Sequence, residues 1–130
     1  MNGKTILYVE DNEFNLKLVR QLLARTSYRL IEATDGEMGV DMALRELPNL
    51  ILMDIQLPKL SGLDATRRLR GDPKTAHIPI IVITSFALSG DDQKAKDAGG
   101  SAYLAKPYSP RELMQMIRQF APESSDPGPS

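Results

Sequence analysis

The 130-residue chain carries 16 Lys and Arg against 17 Asp and Glu, and its length suits one domain rather than two. With no cysteine and a single histidine, His77, disulfides, thiolate metal sites and histidine-rich metal sites are excluded. A net charge of −1 offers no footprint for nucleic acid or an anionic membrane, and no apolar run approaches a signal-peptide core or the ~20 residues of a membrane span, so a cytoplasmic chain is expected.

The first apolar run, Ile6-Leu7-Tyr8-Val9, reads as a strand that ends at Glu10-Asp11. Asp11-Asn12 then offers a cap to a helix in which Leu18/Leu22 and Val19/Leu23 repeat at i, i+4. Arg29-Leu30-Ile31 is the second strand, and Asp35-Gly36 opens a helix with Met38/Met42 at helical spacing, read as core filling. Leu50-Ile51-Leu52-Met53 runs into Asp54, and Ser61-Gly62 opens the third helix. Ile80-Ile81-Val82-Ile83 runs into Thr84 and is followed by a polar helical segment, 88–97, with Ala95 and Ala98 as its anchors. Gly99-Gly100 stops that helix, and Ala102-Tyr103-Leu104-Ala105 leads to Lys106-Pro107. Ser109-Pro110 places Ser at N-cap and Pro at N1 of a last helix carrying Leu113, Ile117 and Phe120.

Three of the strand runs are apolar without alternation, as in a parallel sheet covered on both faces. Strand and helix alternate five times, which makes an α/β domain with right-handed crossovers over residues 1–121. Residues 122–130 hold nothing apolar to bury and are expected to be a disordered tail, with a linker remnant or docking motif as alternatives.

The strand ends carry the chemistry. In a parallel sheet every C-terminal strand end lies on one edge, so Glu10, Asp11, Asp54, Thr84 and Lys106 converge in one cleft. Each alone has a bland role: Asp11 as a cap, Asp54 as a loop starter, Thr84 as a β-former, Lys106 as a solvated end. Their joint placement points elsewhere. Clustered carboxylates need a cation or a shared proton, and an all-oxygen donor set favours Mg²⁺ or another hard divalent ion such as Mn²⁺. Mg²⁺ held by one or two carboxylates suits phosphoryl chemistry, with a carboxylate nucleophile, a neutralising Lys and a hydroxyl donor. Asp54 is the best nucleophile candidate because it follows the most continuously buried run, leaving Glu10 and Asp11 mainly as metal ligands.

Tyr8-Val9-Glu10-Asp11-Asn12, Leu52-Met53-Asp54-Ile55-Gln56-Leu57-Pro58 with Ser61-Gly62, Ile83-Thr84-Ser85 and Tyr103-Leu104-Ala105-Lys106-Pro107 occur here in one order and spacing. Over residues 4–121 the chain resembles the response-regulator receiver domain. The resemblance implies a flavodoxin-like (βα)5 three-layer sandwich with strand order 2-1-3-4-5. It implies that Asp54 accepts a phosphoryl group from a phosphohistidine on a sensor histidine kinase or phosphotransfer protein. Asp11 and Asp54 would bind Mg²⁺ by their side chains, Gln56 by its backbone carbonyl and Glu10 through water. Lys106 would pair with the phosphoryl oxygens, Thr84 (beside Ser85) would move to hydrogen-bond them, and Tyr103 would swing inward. Pro107 matches a position that commonly follows a cis peptide bond.

The charge added at Asp54 would bias a two-state element. The readout surface implied is the fourth helix, fifth strand and fifth helix, here about 88–97, 102–103 and 111–120, open to a target protein or to self-association. Gln56 and Phe86 match positions that modulate phosphoryl lifetime. The bulk of Phe86 should hinder the attacking water, so Phe86→Ala is expected to shorten the half-life. Asp11-Asn12-Glu13-Phe14-Asn15 with Thr84-Ser85-Phe86-Ala87 looks most like single-domain receivers of the cell-cycle or phosphorelay kind. Such a protein is no enzyme beyond its own phosphorylation and dephosphorylation, and with about 120 residues in the receiver no output domain is expected.

Alternatives fit less well. A haloacid-dehalogenase-type phosphatase, also with an Asp nucleophile, needs a second acid two residues on, where this chain has Gln56. A flavodoxin-type carrier needs a Ser/Thr-rich loop where Glu10-Asp11 stands, and no GxxxxGK[ST] is present. A receiver-like interaction module that is never phosphorylated is the remaining alternative. Arg67-Arg68-Leu69-Arg70 reads as a solvated helix face and His77 as a surface or turn residue.

Overall fold

The computed structural model describes residues 3–84 and 91–123, the side chains of Asp91 and Asp92 excepted. Among these, strands β1 (Thr5–Val9), β2 (Arg29–Ala33), β3 (Leu50–Asp54), β4 (Ile80–Thr84) and β5 (Ala102–Ala105) alternate with helices α1 (Glu13–Leu23), α2 (Gly36–Glu46), α3 (Gly62–Arg70), α4 (Asp91–Ala98) and α5 (Pro110–Phe120). All strand pairs are parallel, in the order β2-β1-β3-β4-β5, the flavodoxin-like order expected. No described helix is long and apolar enough to cross a membrane.

The missing alternation in β3 and β4 has the cause inferred for it: both strands are buried throughout. Even-numbered β1 and β3 residues (Ile6, Tyr8, Leu50, Leu52) pack with Ile81, Ile83 and Leu104 against α1 and α5. The other face (Leu7, Val9, Ile51, Met53, Ile80, Val82) packs against Ala43 of α2, Ala65 and Leu69 of α3 and Ala95 of α4. Each face is a separate core, so neither side of the sheet can show a polar file.

Helix starts follow the side chains that satisfy their orphan N–H groups. Asn12, Asp35, Ser61 and Ser109 each accept from the N–H three residues on, and Ser109 and Glu112 complete a capping box with Pro110 at N1. Gly99 ends α4 at φ 104°, where a Cβ would also meet the Arg70 side chain at 2.6 Å.

Two apolar stripes fall differently from expectation. Met38 is 42% exposed and is not core filler, and Leu18 is 47% exposed. In α1 the sheet-facing residues are Leu16, Val19 and Leu23. In α2 they are Gly36, Gly39 and Ala43, small residues that let the helix lie flush on β1; a Cβ on Gly39 would sit 2.8 Å from Val9. Arg70 is likewise not a solvated side chain like its exposed neighbours Arg67 and Arg68. Its guanidinium donates to the Gly99, Ala76 and Ile78 carbonyls and to Ser101 Oγ, tying α3 to the turns before β4 and β5.

Contacts also run past residue 121. Glu123 accepts from the Ser27 N–H (3.1 Å) and hydroxyl (3.0 Å), and the Tyr28 hydroxyl donates to the Ala121 carbonyl. Residues 124–130 of the expected tail lie outside the described residues.

Candidate functional site

Strand alternation builds the site. The file that places Tyr8, Leu52 and Leu104 in the α1/α5 core continues, two residues on in each chain segment, to Glu10, Asp54 and Lys106. These three leave the sheet at its C-terminal edge, where β1 and β3 neighbour each other and the chain order reverses, the place where open α/β sheets bind ligands.

Asp54 is 4% exposed and Glu10 1% exposed. Lys106 bridges them, its Nζ donating to Asp54 Oδ2 at 2.9 Å and to Glu10 Oε1 at 3.2 Å. Asp54 Oδ1 accepts from the Gln56 N–H at 3.0 Å. Glu10 Oε1 also accepts from the Tyr8 hydroxyl (3.0 Å) and Asn15 Nδ2 (3.3 Å), while Oε2 accepts from the Asn12 N–H (3.1 Å). Asn12, rather than Asp11, caps α1. That leaves Asp11 for the cleft, where Glu10, Asp11 and Asp54 each bring an oxygen within 4.8 Å of the others.

Burial and charge divide the protons unevenly. Burial pushes the Asp54 carboxyl up to about 6, Lys106 pulling against it and the Glu10 charge adding to it. Burial works on Glu10 in the same direction, but the Asp54 carboxyl, whenever it holds the pair's proton, together with the Lys106 charge and the Asn12 N–H, outweighs it and holds Glu10 below the usual carboxylate range. Lys106 is disfavoured by burial, yet Asp54 and Glu10 hold its ammonium above the ordinary value, so it stays charged. Three carboxylates against one ammonium leave two negative charges, which the all-oxygen donor set can offer to a divalent cation such as Mg²⁺.

Thr84 is fully buried at the end of β4, and its carbonyl accepts from the Lys106 N–H at 2.7 Å. Alternation puts its side chain in the file of Ile80 and Val82, and Tyr103 packs against that same second core. Thr84 and Tyr103 therefore lie on the α4 side of the edge, across the sheet from the Glu10–Asp54–Lys106 file. The Lys106–Pro107 bond is cis, as the resemblance implied. Gln56 is exposed beside Asp54, and His77 is exposed in its loop. Ser85 and Phe86 lie outside the described residues.

The α3 start closes the floor. The Gly62 N–H donates to the Ile55 carbonyl at 2.9 Å, and a Cβ on Gly62 would stand 1.8 Å from the Asp54 carbonyl oxygen. Sequence reasoning passed over the polar layer beneath the acids, Tyr8, Asn15 and Tyr108. The available signal was parity: Tyr8 is two residues from Glu10 on one strand.

A stability test follows from the Asp54 carboxyl. Its folded-state value, about 6, exceeds the ordinary 3.8, so ionising it costs more in the folded protein than in the unfolded chain. The stability it contributes is full below the ordinary value and lost as pH rises through about 6. Asp54→Asn should therefore raise metal-free stability at pH 7.5 by about 1–3 kcal/mol, with the gain vanishing towards pH 4. Urea melts in chelator across that range check it; a pH-independent difference contradicts the burial argument.

Residues 6–118 match the family model described as the response regulator receiver domain. The polar-differentiation response regulator DivK of Brucella anthropi is 41% identical over 117 residues, covering 90% of this chain and 95% of that one, and DivK of Brucella ovis is equally similar. Among solved structures, the receiver domain of the sensor histidine kinase PA1611 from Pseudomonas aeruginosa, with magnesium coordinated in its active-site cleft, aligns at TM-score 0.85 and 38% identity over 91% of this chain and 97% of that one. The Mn²⁺-bound response regulator Rcp1 aligns at TM-score 0.74 and 29% identity, covering 90% and 93%.

Proposed function

The chain belongs to the response regulator receiver family, a family of signalling modules, and from that premise we propose that it is a DivK-like regulator that accepts a phosphoryl group on Asp54 from a phosphohistidine donor. The observation that carries this reading is the setting of Asp54: a buried carboxylate at the end of a central strand, 2.9 Å from an ammonium and beside two further acids.

In the transfer, an Asp54 oxygen forms a bond to phosphorus as the phosphorus–nitrogen bond of the phosphohistidine breaks. The imidazole leaves with the electron pair and takes up a proton. Lys106, kept charged by its two carboxylate partners, follows the transferring oxygens as a point charge. Asp11 and Asp54 would hold Mg²⁺ or Mn²⁺ by their side chains, Gln56 by its backbone carbonyl and Glu10 through water. When bound, the cation supplies the positive charge that the three acids lack and that the phosphoryl oxygens need.

Thr84, with Ser85, then hydrogen-bonds the new phosphoryl group from the α4 side, and Tyr103 turns inward, carrying the change to α4, β5 and α5. A target protein or a second copy reads that face. Gln56 and Phe86 set how long the phosphoryl group lasts. The donor is a sensor histidine kinase or a phosphotransfer protein, and the setting is the cytoplasm.

Intact-mass measurement after incubation with acetyl phosphate and Mg²⁺, and in parallel with a phosphohistidine protein, tests the reading. One phosphoryl group should be gained, and lost in chelator and in Asp54→Asn. No gain from either donor, or an unchanged gain in Asp54→Asn, overturns it.

A further inference from the structure

Tyr8 is wholly buried in the middle of the α1/α5 core, yet it carries a hydroxyl where the neighbouring positions of that file carry only carbon. The hydroxyl donates to Glu10 Oε1 at 3.0 Å, and the half-buried Tyr108 packs against the same core. Tyr108 lines an open apolar groove with Phe14, Leu18 and Pro107.

The three donors to Oε1 are not equivalent. Lys106 is shared with Asp54 at the shorter distance, and Asn15 stands at the longest, 3.3 Å, on a half-buried side chain. Among the described residues, Tyr8 is the wholly buried donor with no commitment to Asp54. With Oε1 taking three donors, its acceptor capacity is spent; Oε2, taking one N–H from Asn12, retains a lone pair.

We infer that Tyr8 is a positioning residue for the cation site: its hydroxyl pins Glu10 Oε1 against the core and so presents Oε2 to the water shell of the bound metal. This rests on the metal reading of the acid cluster. Partners that orient ligating groups typically change metal affinity 10–100-fold when removed, and Tyr8, acting behind a Glu10 that reaches the metal through water, belongs at the low end.

The experiment is Mg²⁺ binding to the unphosphorylated chain by calorimetric titration, with thermal melts in chelator as the folding control. Tyr8→Phe keeps the ring and the core. It should weaken Mg²⁺ binding about tenfold. Tyr108→Phe, which removes a hydroxyl that is not among the donors to Glu10, should leave the affinity unchanged. Ile6→Val, on the same face of β1, should lower the metal-free melting temperature without moving the affinity, separating positioning from packing. A wild-type chain that binds no Mg²⁺ overturns the metal reading and this inference together. Normal wild-type binding with unchanged affinity in Tyr8→Phe, or an equal loss in Tyr108→Phe, overturns this inference alone.

Discussion

Lys106→Met should slow phosphoryl acceptance by about 10²–10³-fold, the range seen when one donor to a developing anion is removed. The same change should cost about 2–3 kcal/mol of metal-free stability at pH 7.5, somewhat below a fully buried pair because the Lys106 side chain keeps 19% of its exposure. The two effects have one origin. The ammonium lies 2.9 Å from Asp54 and 3.2 Å from Glu10, and both acids are nearly inaccessible to water. Without it, Asp54 rises beyond about 6 and Glu10 loses a charge that holds it below the usual range. Carboxyls raised in the folded state lower stability only where they are ionised. The deficit is therefore full above the raised values and disappears as pH falls through the ordinary carboxylate range. Urea melts at pH 4 and 7.5, read beside mass-detected phosphorylation, check both parts. A deficit equal at the two pH values would mean that Lys106 acts by packing.

Gly62→Ala should be the more damaging substitution, costing about 3 kcal/mol or more although it adds a single methyl. The Cβ would stand 1.8 Å from the Asp54 carbonyl oxygen and 2.8 Å from Ile55 Cα, and neither is a side chain that can turn away. Either α3 lifts from the sheet or the end of β3 moves, and the second displaces the carboxylate itself. Stability and phosphoryl acceptance should fall together, with acceptance not restored by adding Mg²⁺. Gly71→Ala at the other end of α3 is the control. Its Cβ would meet only carbonyl oxygens at 3.5 and 3.6 Å and its φ is −81°, so denaturation midpoints should stay level or rise.

The parts legible in the sequence are those written in local signals. Asn12, Asp35, Ser61 and Ser109 cap the helices placed after them, and Glu10, Asp11, Asp54 and Lys106 stand together because strand ends of a parallel sheet must. The strand order came with the family resemblance, since five similar apolar runs do not rank their neighbours. Met38 was misplaced because apolar spacing counts side chains, whereas α2 meets the sheet through Gly36 and Gly39, which have none. Arg70 passed as one of three solvated arginines because its partners, three backbone carbonyls and Ser101 Oγ, lie up to 31 residues away. Tyr8 was hidden for a related reason: in a strand buried on both faces, a tyrosine and an isoleucine look alike until the residue two places on proves to be an acid.

The clasp of Ser27 on Glu123 gives the molecule a direction for handling. Ser27 precedes β2 and Glu123 follows α5, so both belong to the rim opposite the acids, a five-residue strand or roughly 17 Å away. A dye, surface tether or fused reporter attached beyond Glu123 starts from that far rim and leaves the cleft open to a macromolecular donor. A label on the exposed Phe14, beside Lys106, would instead stand at its doorway.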